Sequence, residues 1–171
     1  MKFRFVIAMA LLAAVPGRAS TLAVRQVLTP VQRLVVAINN AKPRLPPGIF
    51  TSDAVVIDEF PPFQWSGKTS GTTWYSDLVG ITPTTRAAFV ASHARVSFGA
   101  PDTVKIKATT AYLVVPGRFE YDESGARVIQ SSRWTFALVR RKVGWLIAGH
   151  AWSLTGEVRT LLHSSALKGK Q

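Results

Sequence analysis

The chain has 171 residues, 47% of them hydrophobic and 18% charged, which suits one globular domain plus processing sequence and excludes an extended disordered polymer. It has no cysteine, so disulfides, thiolate metal sites and thiol catalysis are excluded. The net charge is +12, but the basic residues are scattered and Arg140-Arg141-Lys142 is the only run, so no nucleic-acid partner is expected.

Residues 1–19 read as a secretory signal. Lys2 and Arg4 form a basic start, Phe5 to Val15 is an apolar run, and Pro16-Gly17 breaks it ahead of small residues at Gly17 and Ala19. The run is short for a bilayer span; a membrane anchor or a buried first helix is the competing reading. The expectation is an exported protein, periplasmic or secreted, with no stable membrane insertion after cleavage.

From Val24 the apolar residues Val27, Leu28, Val31, Leu34, Val35 and Ile38 keep helical spacing to Asn40. Thr29-Pro30 either kinks this helix or starts it afresh. Three prolines and a glycine between Lys42 and Gly48 end it. Phe50 to Ala54 reads as polar, with room for a short helical turn. Val55 to Phe60 reads as a strand stopped by Pro61-Pro62, with Val56, Asp58 and Phe60 on one face.

Ser70 to Gly80 reads as a helix with Trp74 and Leu78 on one side. Pro83 to Arg86 reads as a connector, and from Ala88 onward the chain reads as strand. The segments are Phe89–Phe98, Val104–Val115, a bend at Pro116-Gly117, Arg118–Tyr121, a turn at residues 122–125, Arg127–Arg140, and Trp145–Leu154. On the last strand, alternation puts Leu146, Ala148, His150 and Trp152 on one face; on its partner it groups Trp134, Phe136 and Leu138. Gly156 to Gln171 reads as a tail, with a helix through Leu162 as the alternative. The predicted class is α+β, N-terminal helices packed on a curved antiparallel sheet.

Two stretches resemble the NTF2-like superfamily, also called SnoaL-like or ketosteroid-isomerase-like. One is Asp53 to Asp58 with the Pro/Phe-rich turn and Trp65-Ser66-Gly67; it is similar to the strand and turn where the isomerases carry a catalytic aspartate. The other is Trp134 to Leu138 followed by Gly144 to Ser153, similar to the family's closing hairpin. The resemblance implies a cone-shaped domain over residues 22–155, with a tail at 156–171, a pocket open at one end, and homodimers through the sheet. Such folds host isomerases, dehydratases, cyclases, epoxide hydrolases and many non-enzymes.

The resemblance assigns Asp58 as a general base with a raised pKa, assisted by His150. The bland readings are that Asp58 caps the Pro-Pro turn or pairs with an arginine, and that His150 is a satisfied strand histidine. The isomerases also need a tyrosine on helix one and a second acid on a sheet strand. This chain has no tyrosine between Val24 and Asn40 and no acid between Val104 and Val115. Phe60, Trp65, Trp74, Trp134, Phe136 and Trp152 are the candidate ligand-binding residues, with ordinary core packing as the alternative for the tryptophans. His93 and His163 are isolated, no histidine pair has ligand spacing, and no GxSxG elbow occurs, so neither a metal, another cofactor nor a hydrolase triad is expected. Three functions fit: binding a small apolar or aromatic molecule, SnoaL- or isomerase-type catalysis, or protein docking through the sheet.

Overall fold

A computed structural model describes residues 21–162. The signal-sequence reading, His163 and the end of the predicted tail lie outside them. The order of elements is α1 (Thr21–Asn39), β1 (Phe50–Ile57), β2 (Gln64–Trp65), α2 (Ser70–Val79), α3 (Pro83–Ala91), β3 (Arg95–Phe98), β4 (Thr103–Lys107), β5 (Thr110–Glu123), β6 (Ala126–Arg141) and β7 (Gly144–Leu161). The α+β class predicted from sequence is the class observed: helices lie against one curved, unclosed seven-stranded sheet ordered β2-β1-β7-β6-β5-β3, with β4 also on β5. One pairing departs from the antiparallel expectation, because β1 runs parallel to β7.

Helix α1 runs unbroken through Pro30 and buries Val27, Pro30, Val31, Leu34, Ala37 and Ile38, one stripe at helical period. Its C-terminal end is tied twice. The Asn39 carboxamide donates to Val96 O (2.9 Å) and accepts from Val96 N (2.7 Å), pinning β3. The buried Tyr75 hydroxyl of α2 lies 3.0 Å from Ala37 O and 2.8 Å from Lys42 O. Helix α2 reaches β1 closely enough that Ser70 Oγ donates to Ala54 O. A Cβ on Gly71 would stand 2.4 Å from the Phe50 ring.

Several boundaries differ from the sequence reading. Phe50 to Ala54 is strand, and β1 stops at Ile57, before Asp58. Pro83 to Ala91 is a helix; Thr82 caps it by accepting from Thr85 N (3.1 Å) while its own N–H donates to Thr85 Oγ1 (3.1 Å). Only Arg95–Phe98 of the predicted strand from Phe89 is extended. The segment Val104–Val115 is divided by a turn at Ala108-Thr109, and Pro116-Gly117 passes straight through β5. Gly156 to Leu161, read as the start of a tail, continues β7 opposite Ala126–Ser131.

The largest correction concerns which way β7 faces. Ile147 pairs with Leu138 and Gly149 with Ala137, leaving Ala148 as an extra residue; Thr155 is left over in the same way between Leu154 and Gly156. Each bulge reverses the alternation. Trp145 and Ile147 therefore join His150 and Trp152 on the concave face, whereas Leu146 and Ala148, predicted to face the pocket, do not. Paired residues trace the concave rows across the sheet: Val56, His150, Phe136 and Leu113 form one, and Trp152, Trp134 and Val115 the next.

Candidate functional site

The second of these rows floors a cavity of about 280 Å³ between the sheet and the helices. The sheet contributes Trp134 and Trp152, with Phe119, Tyr121 and Gln130 further along β5 and β6; α1 gives Ile38, α2 gives Trp74 and Leu78, and β3 gives Val96. Asp58, Glu59 and Phe60, in the turn after β1, close the side. A glycine makes this floor possible. A Cβ on Gly117 would meet Ser132 Oγ at 2.5 Å and the Trp152 ring at 3.0 Å, so only a bare backbone lets that indole lie where it does.

Asp58 is held by two neutral donors. Its Oδ2 accepts from Trp74 Nε1 (2.8 Å) and its Oδ1 from Glu59 N (2.7 Å). Burial raises its pKa above the ordinary carboxylate value; the two hydrogen bonds work against that rise, and the Glu59 charge adds to it. Glu59 in turn accepts from Leu154 N (2.6 Å), which anchors the turn to β7. Neither carboxylate forms an ion pair among the described residues.

His150 is not part of the cavity wall. It lies one row deeper than Asp58, only 4% exposed, beneath Trp74 (ring centroids 4.5 Å) and Trp134 (5.5 Å), with Phe50 and Phe136 on its other sides. Its Nδ1 accepts from Trp134 Nε1 (2.9 Å), which assigns the proton of the neutral ring to Nε2, a buried nitrogen with no hydrogen-bond partner. Complete burial lowers its pKa to about 3. A ring that stays neutral and sealed under two indoles orients Trp134; it does not reach a molecule in the cavity.

The other candidates divide cleanly. Phe60, Trp74, Trp134 and Trp152 line the cavity. Phe136 is buried below it against Trp134, 5.0 Å between centroids. Trp65, on β2, is buried behind Phe60 (4.9 Å) and donates Nε1 to Asp77 Oδ2 at 2.8 Å. Sequence reasoning missed Ile38, Glu59, Leu78, Val96, Phe119, Tyr121 and Gln130. Signals existed for two of these: Phe119 and Tyr121 keep the parity of Leu113 and Val115 once Pro116-Gly117 is not taken as a break. Among the described residues there is no group of three or more His, Asp or Glu side chains placed to hold a metal ion, and no helix long and apolar enough to cross a membrane.

Neither a protein-family model nor a curated protein matches the sequence. Solved structures do match the fold. An NTF2-like protein with a cystatin-like fold from Novosphingobium aromaticivorans superimposes with a TM-score of 0.62 at 15% identity, over 77% of this chain and 80% of that one. This chain has the NTF2-like fold. A second NTF2-like protein, of unknown function, from Pseudomonas putida KT2440, gives 0.60 at 20% identity over 78% and 87% of the two chains. The hexachlorocyclohexane dehydrochlorinase LinA-type3 of Novosphingobium barchaimii gives 0.62 at 12% identity over 88% and 96%. Identities this low carry the fold and leave the chemistry to the residues of the NTF2-like cavity itself.

Proposed function

We propose that this protein is exported and binds a small apolar or aromatic molecule in the cavity of its cone. The observation that carries the reading is the lining: three indoles and Phe60, Phe119 and Tyr121 around about 280 Å³, with one partly desolvated carboxylate, Asp58, to receive a hydrogen-bond donor. Native mass spectrometry of the protein purified from the exported fraction tests it directly. A co-purified small molecule that is lost on mutating Trp134 or Trp152 is the expected result. An empty protein, with tryptophan fluorescence indifferent to a panel of aromatic compounds, would refute it.

One observation favours a catalytic reading, the raised pKa of Asp58, which suits a general base. His150 gives that reading no help from its buried position. Turnover abolished by Asp58→Asn, with ligand affinity retained, would establish an enzyme; unaltered ligand chemistry would leave a binding protein.

We also propose that two copies pair through the convex face. Two rows uncharged from β1 to β5 cross it, Val55-Gly149-Ala137-Tyr112, which reaches Lys105 only on the edge strand β4, and Ile57-Ala151-Thr135-Val114, and Val55, Ile57 and Tyr112 are exposed there. Light scattering should give twice the monomer mass, reduced to one by Ile57→Glu; a monomeric wild-type protein would overturn this.

A further inference from the structure

The chain carries 21 lysines and arginines against nine acids, yet the charge around the cavity has the opposite sign. A second cavity, of about 300 Å³, adjoins the first and shares Phe60, Leu78, Phe119 and Tyr121 with it. Its remaining wall comes from Asp77 and from Phe89, Ser92 and Ala94. Among the described residues no lysine or arginine lines either one.

The acids sort by how they are neutralised. Asp102, Glu120, Asp122, Glu123 and Glu157 are each ion-paired with an arginine. The other four are in no ion pair among the described residues, and three of these (Asp58, Glu59 and Asp77) line the two cavities; the fourth, Asp53, is exposed on β1. Each of the three is held by a neutral N–H instead: Asp58 by Trp74 and the Glu59 amide, Glu59 by the Leu154 amide, Asp77 by Trp65. In a chain with so large an excess of base, carboxylates left without a cation in the same place as seven aromatic residues need a common explanation.

We infer that the ligand is an organic cation: an amine or quaternary ammonium whose charged head sits among Trp74, Trp134 and Trp152 beside Asp58 and Glu59, with its apolar substituent running toward Phe89. Indole faces attract a cation through their quadrupoles, most strongly where water is excluded. Asp58, half-buried in the same wall, adds a Coulomb attraction that a neutral ligand would not feel, and the exposed Glu59 beside it adds a weaker, solvent-screened one. The raised pKa of Asp58 fits a carboxylate awaiting a counter-charge. Trp134 and Trp152 pack edge to face in this wall, 5.3 Å and 77° between them, so each holds the other's indole in place at the cavity.

The inference rests on the reading that this cavity binds a small molecule, and a matched ligand pair separates the two. Phenyltrimethylammonium and tert-butylbenzene have the same shape and differ in one charge. Tryptophan quenching and calorimetry on the purified protein should give the ammonium an affinity about tenfold or more above the hydrocarbon's. Asp58→Asn and Glu59→Gln should each reduce the ratio of ammonium to hydrocarbon affinity several-fold, and urea unfolding checks that each variant is folded. Equal or tighter binding of the hydrocarbon overturns the cation assignment and leaves the cavity reading standing. Binding of neither overturns both. A preference for the ammonium that survives both substitutions removes the carboxylates from the explanation and overturns the assignment of the head to them.

Discussion

Acidification should destabilise this protein through one buried side chain. His150 is surrounded by Phe50, Trp74, Trp134 and Phe136, with no carboxylate among those rings to support a positive charge, and its folded pKa is lowered to about 3. In the unfolded chain the imidazole titrates near the ordinary value of about 6.5. Between those values the unfolded state holds the extra proton, so the contribution is complete above about pH 6.5 and is lost as pH falls toward the folded value. Linkage gives a loss of about 2 kcal/mol at pH 5 and an upper limit near 5 kcal/mol below pH 3. A small domain is stable by only about 5–15 kcal/mol, so the effect is large.

Urea unfolding followed by tryptophan fluorescence measures it. With a slope of about 2 kcal/mol per molar, the His150 share at pH 5 moves the midpoint by about 1 M. Asp58 contributes with the opposite sign, because a raised carboxyl gains relative stability on protonation; the wild-type profile alone is therefore not diagnostic. The comparison is with His150→Phe. That variant leaves Trp134 Nε1 without its acceptor, a cost of about 1–3 kcal/mol at every pH, but it should remove the His150 slope. Parallel profiles for wild type and His150→Phe between pH 7 and 4.5 would refute the assignment of a buried neutral imidazole.

Three further outcomes follow from contacts already described. Gly71→Ala drives a methyl into the Phe50 ring and should cost about 1–3 kcal/mol in chemical denaturation, with Gly67→Ala unsuitable as a control because its φ of 86° is strained for any side chain. Asn39→Ala strips both partners from Val96 and should cost about 1–3 kcal/mol, with amide hydrogen exchange accelerating first in β3. Gly117→Ala should shift the Trp152 indole and change tryptophan emission and aromatic-ligand affinity together; unchanged emission would show that the sheet yields instead.

What could be read from the residues was whatever expresses itself as a period. The α1 stripe, the Trp74–Leu78 pairing and the long strands all do so. Helix α3 does not, because none of its residues is buried and its capping box uses Thr85 where the usual signal is Glu or Gln. The end of β7 was misread for a related reason: Gly156–Leu161 is held by pairing to β6 while its residues remain largely exposed, so nothing alternates. Asp58 was found because an acid at the end of an apolar strand is conspicuous. His150 was found too, but its role was misplaced by one row, since depth in a cone depends on the register between β1 and β7 and no local pattern encodes a parallel pairing.

The two bulges of β7 also bear on how its length can change. Across the strand the inward set switches from Trp145 and Ile147 to His150 and Trp152 and then back to residues in phase with the first, with Ala148 and Thr155 as the unpaired spares. Those two positions work as expansion joints. Removing either would straighten the strand locally yet keep every remaining residue on its present face. A one-residue deletion between them, at Ala151 for example, would turn Trp152 outward and Ser153 inward. Single-residue length variants of this strand are therefore expected to be viable at Ala148 or Thr155 and ruinous in the six residues that separate them.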